Sequence, residues 1–452
     1  MTGSWRCGWC KTTMETGRAL GLYRPSRAQA NTGLRPGNES MSWRADVLRL
    51  PALSRLAVLW VSVAVIGFTV SSGPGTPEVA KGAPNQLAAP FLAVVSPPSG
   101  GASGGAPTTP SRTAPAKPPK AAGHSEPTGS RLAKDLGQLI VARFAGTIPT
   151  ASILSAIRAG RIGAIILFSE NTAGGVIATH TLVTRLQNAA VSGGNPRLLI
   201  MTDQEGGEVK RLPGPPDAAA SQMANPVVAA TEGRETAQLL RAAGVNVDLA
   251  PVADVTAVDG FITQEHRTFG NSPAVVAKAA CAFARSLAAA GVAYTLKHFP
   301  GLGDAIDSTD NGPVSVDASA SALSAAETAY RRCGANRLAL VMISSASYPH
   351  LTGSTPAVMS STTYREALRS DRVNAVTISD DFQAPAIANR TAPARTAIDA
   401  GLDMVMYAKT ESAAEVAFQI LYDDIGHGTL SVSRVAAAAA KVRALKQTLN
   451  LL

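Results

Sequence analysis

Eight short apolar runs recur along residues 130–452, at 139–144, 164–168, 198–202, 245–249, 293–296, 338–343, 375–378 and 404–407. Each has strand length, and most lack the polar alternation of a half-solvated sheet. Such runs suit strands buried on both faces, the habit of parallel sheets. Between them lie longer Ala- and Leu-rich stretches with helical spacing, such as 273–290 and 321–332. Eight strand–helix units in roughly 320 residues predict an α/β fold of one architecture, a (β/α)8 TIM barrel forming a single catalytic domain. The rival, a doubly wound open sheet, calls for Gly-x-Gly-x-x-Gly after the first strand. The chain has none there.

Several of these strands end in polar groups. Asp203-Gln204-Glu205-Gly206-Gly207 follows the third, Asp254 the fourth, Ser344 and Ser345 the sixth, and Ser379-Asp380-Asp381 the seventh. The fifth leads into Lys297-His298-Phe299-Pro300-Gly301-Leu302-Gly303-Asp304-Ala305-Ile306-Asp307-Ser308-Thr309-Asp310. A barrel gathers such strand ends at one mouth, where these folds do chemistry. The chain carries no His-Glu-x-x-His and no Ser-His-Asp elbow. It offers many carboxylates beside a few cations, which suits carbohydrate chemistry: carboxylates bind sugar hydroxyls, and one can attack an anomeric carbon. No metal and no cofactor is expected.

The charge lies elsewhere. The chain has 41 Lys/Arg and 32 Asp/Glu, but residues 1–130 hold 13 and 5 of these and so carry +8 of the net +9. The basic character belongs to the N-terminal quarter, so it does not argue for nucleic-acid binding. Residues 1–43 read as a leader without periodicity, and Met41 is an alternative start. Residues 44–71 read as a signal peptide or membrane anchor: Arg44, Arg49 and Arg55 precede the apolar run at 56–70. Residues 72–129 are rich in Pro, Gly, Ser and Ala, and are expected to be a disordered linker. The domain proper is expected at 130–452, exported to the cell surface or beyond, and anchored there if the signal is retained. Cys7 and Cys10 lack a second pair to complete a zinc site. Cys281 and Cys333 read as buried free thiols, with a disulfide as the alternative in an oxidising compartment.

Taken together, the motifs resemble glycoside hydrolase family 3, in its single-domain β-N-acetylglucosaminidase branch, over about 135–448. Asp203-Gln204-Glu205-Gly206-Gly207 is similar to the family's substrate-binding motif, Ala250-Pro251-Val252-Ala253-Asp254 to its fourth-strand segment, and Arg267-Thr268-Phe269-Gly270 to its Arg-Ser-Phe-Gly. Lys297-His298-Phe299-Pro300-Gly301 is similar to its most recognisable string. The resemblance implies that Asp203, Arg211, Arg267, Lys297 and His298 bind the sugar and that Asp380 is the nucleophile. It implies as substrate a glycan containing N-acetylglucosamine.

The departures concern proton transfer. The family's loop after Pro-Gly carries two histidines, the second being the general acid/base. Here Leu302 and Thr309 stand in their places, and Glu208 stands where the family has arginine. A threonine hydroxyl does not titrate near neutrality. Asp310, next to the lost histidine, is the expected replacement, with Asp307 second. The resulting reading is a retaining glycosidase that releases β-linked N-acetylhexosamine through a glycosyl-Asp intermediate. Two alternatives are a sugar-binding pseudoenzyme and a transferase or phosphorylase-like variant with an anionic acceptor.

Overall fold

The computed structural model describes residues 128–452 of the chain. The leader, the apolar run at 56–70 and linker residues 72–127 lie outside the described residues, whereas Thr128 and Gly129, expected in the linker, open the first helix, Thr128–Gly137. Among the described residues no helix is long and apolar enough to cross a membrane.

The eight expected strands are all present: β1 Ile140–Ala142, β2 Ala164–Leu167, β3 Leu199–Thr202, β4 Val247–Asp248, β5 Ala293–Phe299, β6 Ala339–Ile343, β7 Val376–Asp381 and β8 Met404–Met406. They pair in parallel, each with its sequence neighbour, and β8 closes on β1. This is the TIM barrel. Two strands run further than their apolar residues suggest. β5 continues through Lys297 and His298, and β7 through Asp380 and Asp381. Strand pairing depends on the backbone, so it persists where the side chains turn polar to face the mouth. A small antiparallel hairpin, Gln204–Gly206 with Val209–Lys210, was not expected.

Alternation along the strands divides the core in two. Val141, Ile166, Met201, Leu340, Met342 and Met404 point inward and pack the barrel interior. Their neighbours Ile140, Ile165, Ile200, Val341 and Val405 point outward against the helices. The helix Val432–Thr448 closes the floor, with Val442 and Leu445 in the interior cluster. Beside them Lys446 Nζ donates to Gln138 Oε1 (2.7 Å) and Gly163 O (2.9 Å).

The outer helices start where the sequence supplies caps. Thr150 accepts from Ile153 N, Asn225 accepts from Val227 N just before Pro226, and Ser431 accepts from Arg434 N. The helix Pro273–Ala289 buries Val276, Ala280, Phe283, Ala284 and Leu287 on one side. The expected helix at 321–332 is broken into Ala320–Ala326 and Thr328–Cys333. Cys281 and Cys333 are joined in a disulfide, correcting the expectation of free thiols. Their wide sequence separation, 52 residues, hid the pairing that the barrel creates by laying consecutive helices side by side. A loop of that size confers about 4 kcal/mol by the chain-entropy argument.

Candidate active site

The cleft lies at the strand C-termini and encloses about 620 Å³. Asp203, Arg211, Arg267, Lys297, His298, Asp310 and Asp380 all line it. Ile166, Met342 and Met406 form its apolar base, directly above the packed interior.

Lys297 and His298 are adjacent, and in a regular strand their side chains would point to opposite faces. The pairing of β5 with β6 shifts register between Leu296 and Phe299. That irregularity re-aims the strand end, and both side chains reach the cleft. Lys297 Nζ donates to Asp203 Oδ1 (2.8 Å) and contacts Glu205 Oε1 (2.6 Å). Arg267 grips the same Glu205 with two parallel bonds, Nε to Oε2 (2.8 Å) and Nη2 to Oε1 (3.0 Å). Its Nη1 donates to Glu265 (3.1 Å). Glu205 is almost wholly buried. Burial alone pushes its carboxyl up, but the charges of Arg267 and Lys297 outweigh that and hold it down at about 2. Burial likewise works against the Lys297 ammonium, and Asp203 and Glu205 together raise it above the usual lysine range.

Gln204 explains how Arg211 is placed. Its Oε1 accepts from Arg211 N and Leu212 N (3.0 Å each), and its Nε2 donates to Leu212 O and Pro215 O (2.9 Å each). This buried amide pins the loop whose guanidinium faces Asp203 at 3.8 Å. Gly206 makes the turn possible. It sits at φ +105°, and a Cβ there would lie 2.1 Å from Ala218 O. Arg211 also stacks on Phe168, with Arg143 over the same ring, at 5.7 and 5.2 Å from its centroid.

His298 is held by Asp254, a fully buried carboxylate on the segment that follows the fourth strand. Oδ2 lies 2.7 Å from the ring Nδ1, and Oδ1 accepts from His298 N (3.1 Å) and Leu302 N (2.7 Å). The same aspartate thus orients the imidazole and ties down the start of the altered loop. Gly303 lets that loop press close, since a Cβ would meet Val255 O at 2.0 Å.

On the other side of the mouth stand Asp310, Asp380 and Asp381. Asp310 is exposed at the rim. Lost hydration of its carboxyl raises its pKa first, and repulsion from Asp380 and Asp381 adds to this, while Lys409 and His298 act the other way. Asp381 is raised by burial, and the bonds it accepts from Ala408 N (2.9 Å) and Gln383 N (3.0 Å) offset part of the effect. Thr309 is buried and lines the cleft, as does Leu302. Asp307 does not join the cleft lining. It is exposed, and its Oδ1 accepts from Ser308 N and Asn311 Nδ2 (2.7 and 2.8 Å). Glu205, Asp254 and Lys409 were not among the site residues expected from sequence. Glu205 and Asp254 lie inside quoted motifs, whereas nothing around Lys409 signals a role. Among the described residues no group of three His, Cys, Asp or Glu is placed to hold a metal ion.

Comparison with known proteins identifies the family and the fold. A family model described as the glycosyl hydrolase family 3 N terminal domain matches residues 131–445. An uncharacterized secreted glycosyl hydrolase from Arthroderma benhamiae is 32% identical over 332 residues, which is 71% of this chain and 94% of that protein. The β-N-acetylhexosaminidase from Beutenbergia cavernae superposes with a TM-score of 0.64 at 30% identity, covering 70% of this chain and 98% of that one. A family 3 β-N-acetylglucosaminidase from Paenibacillus gives a TM-score of 0.66 at 28% identity, over 71% of this chain and 63% of that longer one. With the barrel, the strand-end motifs and a family match spanning nearly all of the described residues, the chain belongs to glycosyl hydrolase family 3.

Proposed function

We propose that this chain is a retaining glycosidase that removes β-linked N-acetylhexosamine, N-acetylglucosamine first, from cell-wall or other glycoconjugate fragments. The observation that carries the reading is that Asp310 and Asp380 line the same cleft as the Asp203–Lys297–Glu205–Arg267 cluster. The named enzymes among the relatives support the sugar, and the secreted relative supports export. In this reading residues 44–71 direct export and 72–129 are a spacer.

Asp203 and Lys297 exchange hydrogen bonds with sugar hydroxyls, and His298, fixed by Asp254, offers its outer ring nitrogen. Asp380 attacks the anomeric carbon as the glycosidic C–O bond breaks. Asp310 gives its proton to the departing oxygen. Water then attacks the glycosyl-Asp380 ester, Asp310 takes a proton from it, and Asp380 leaves as carboxylate. A retaining pair works at a carboxyl separation of roughly 5–5.5 Å. The raised pKa of Asp310 is what a proton donor requires.

The test compares two leaving groups. Asp310→Asn is expected to slow hydrolysis of N,N′-diacetylchitobiose on the order of 10³-fold. The loss should be far smaller for nitrophenyl N-acetyl-β-glucosaminide, whose leaving group needs no proton. Azide should partly restore the nitrophenyl rate. Equal losses on both substrates remove Asp310 from the role, and sugar binding without turnover of either by the wild type favours a pseudoenzyme.

A further inference from the structure

The cleft's cations divide into two kinds. Arg211, Arg267 and Lys297 are each committed to carboxylates of the sugar side: Asp203, Glu205 or Glu265. Lys409 also lines the cleft, yet among the described residues no carboxylate lies within ion-pair distance of its ammonium. Among the described residues that ammonium donates to one group, Gln383 O at 3.2 Å, which leaves two of its three N–H bonds for a ligand or water.

Its position is fixed by the backbone rather than by its side chain. Gln383 Oε1 accepts from Lys409 N (2.9 Å) and Thr410 N (3.0 Å), and Gln383 Nε2 donates to Thr410 Oγ1 (2.9 Å). From the other side, Arg143 Nη1 donates to Lys409 O (3.1 Å). The segment after β8 is therefore clamped to the loop that follows Asp380 and Asp381. In the closed barrel β8 lies next to β7 and diametrically across from β4, which is followed by the segment carrying Asp254. Lys409 thus stands over the Asp310–Asp380–Asp381 side, away from the Asp203–Lys297 cluster.

We propose that Lys409 is a specificity-determining residue that selects substrates whose leaving unit carries a carboxylate, the exposed ammonium meeting that anion at the cleft rim. This rests on the glycosidase reading, because it takes the Asp310 side as the leaving-group side. The competing role is charge balance. Lys409 also offsets the repulsion felt by Asp310 and Asp381, and a residue doing only that treats charged and neutral leaving units alike.

The experiment measures binding, so it does not depend on turnover. Two non-hydrolysable ligands are titrated calorimetrically into the protein: the phenyl and the 4-carboxyphenyl β-thioglycosides of N-acetylglucosamine. Wild type is expected to prefer the carboxyphenyl ligand by about 2–5-fold at low salt, as for one exposed charge-assisted contact. The preference should shrink as salt is raised. Lys409→Gln is expected to bring the ratio of the two affinities to about one, and Lys409→Arg to retain most of it. Equal binding of the two ligands by wild type, or a preference that survives in Lys409→Gln, overturns the proposal. Equal binding with normal nitrophenyl turnover does so while leaving the glycosidase reading intact. Failure of both ligands to bind, with no turnover, removes both.

Discussion

Asp254 holds His298 by two bonds at once, its Oδ2 2.7 Å from the ring Nδ1 and its Oδ1 accepting the backbone N–H. With the Leu302 N–H also on Oδ1, one buried carboxylate organises the end of β5 and the start of the loop that carries Thr309 and Asp310. Asp254→Ala leaves three buried donors without a partner. At about 1–3 kcal/mol each, less what relaxation recovers, the expected loss is about 3 kcal/mol or more in urea unfolding. Asp254→Asn keeps one acceptor oxygen and should lose less. A loss under about 1 kcal/mol for the alanine variant would show that water replaces the carboxylate readily.

Glu205 predicts an acid-side stability slope. Its carboxyl is held at about 2 in the folded chain, against an ordinary value of 4.5. A depressed carboxylate contributes stability that is fully present above pH 4.5 and is lost as pH falls through 2. The shift is equivalent to about 3 kcal/mol. Urea midpoints measured at pH 6 and pH 3 should fall steeply for wild type. Glu205→Gln should be less stable at pH 6, because Lys297 and Arg267 lose their shared partner, and its curve should be flatter toward pH 3. Parallel curves would contradict the assignment.

Lys446 predicts a slope of the same sign on the alkaline side. Burial lowers its pKa to about 7 from 10.5. The neutral amine has two N–H bonds, and Gln138 Oε1 and Gly163 O take both. Below pH 7 the ammonium is charged in both folded and unfolded chains, and the folded state bears the cost of burying it. From pH 7 toward 10.5 the folded chain binds fewer protons than the unfolded one, so this group makes stability rise with pH, on the order of 4–5 kcal/mol across the full window. Stability compared at pH 7 and pH 9 should show wild type gaining relative to Lys446→Met. Equal pH dependence in the two proteins would mean that Lys446 titrates normally.

The barrel was legible in the sequence because each of its strands is a short run buried on both sides, as Ile165–Ile166 and Leu340–Val341 are. Such runs leave no polar face to blur the pattern. Seven of the eight expected site residues, Asp380, Asp310, Asp203, Arg211, Arg267, Lys297 and His298, line the cleft because a barrel brings every strand end to one mouth. Asp307 does not, since its carboxylate is turned back on its own loop by Ser308 and Asn311. A local Asx-type turn of that kind competes with reaching the site. What stayed hidden depends on neighbours distant in sequence. Glu205 is set by Arg267 and Lys297, Cys281 pairs with Cys333, and Lys409 is aimed by Gln383 and Arg143.

The central claim, a glycosyl ester on Asp380, is tested most directly by intact-protein mass spectrometry after incubation with 5-fluoro-N-acetylglucosaminyl fluoride. The ring fluorine destabilises the oxocarbenium-like transition state of both steps, and the good fluoride leaving group lets the first outpace the second. The prediction is a mass increase of one fluorosugar residue. Peptide mapping should localise it to the peptide carrying Asp380, and it should be absent in Asp380→Ala. A label on another carboxylate, an unlabelled wild type that nonetheless hydrolyses the nitrophenyl glycoside, or labelling that persists in Asp380→Ala would contradict the account.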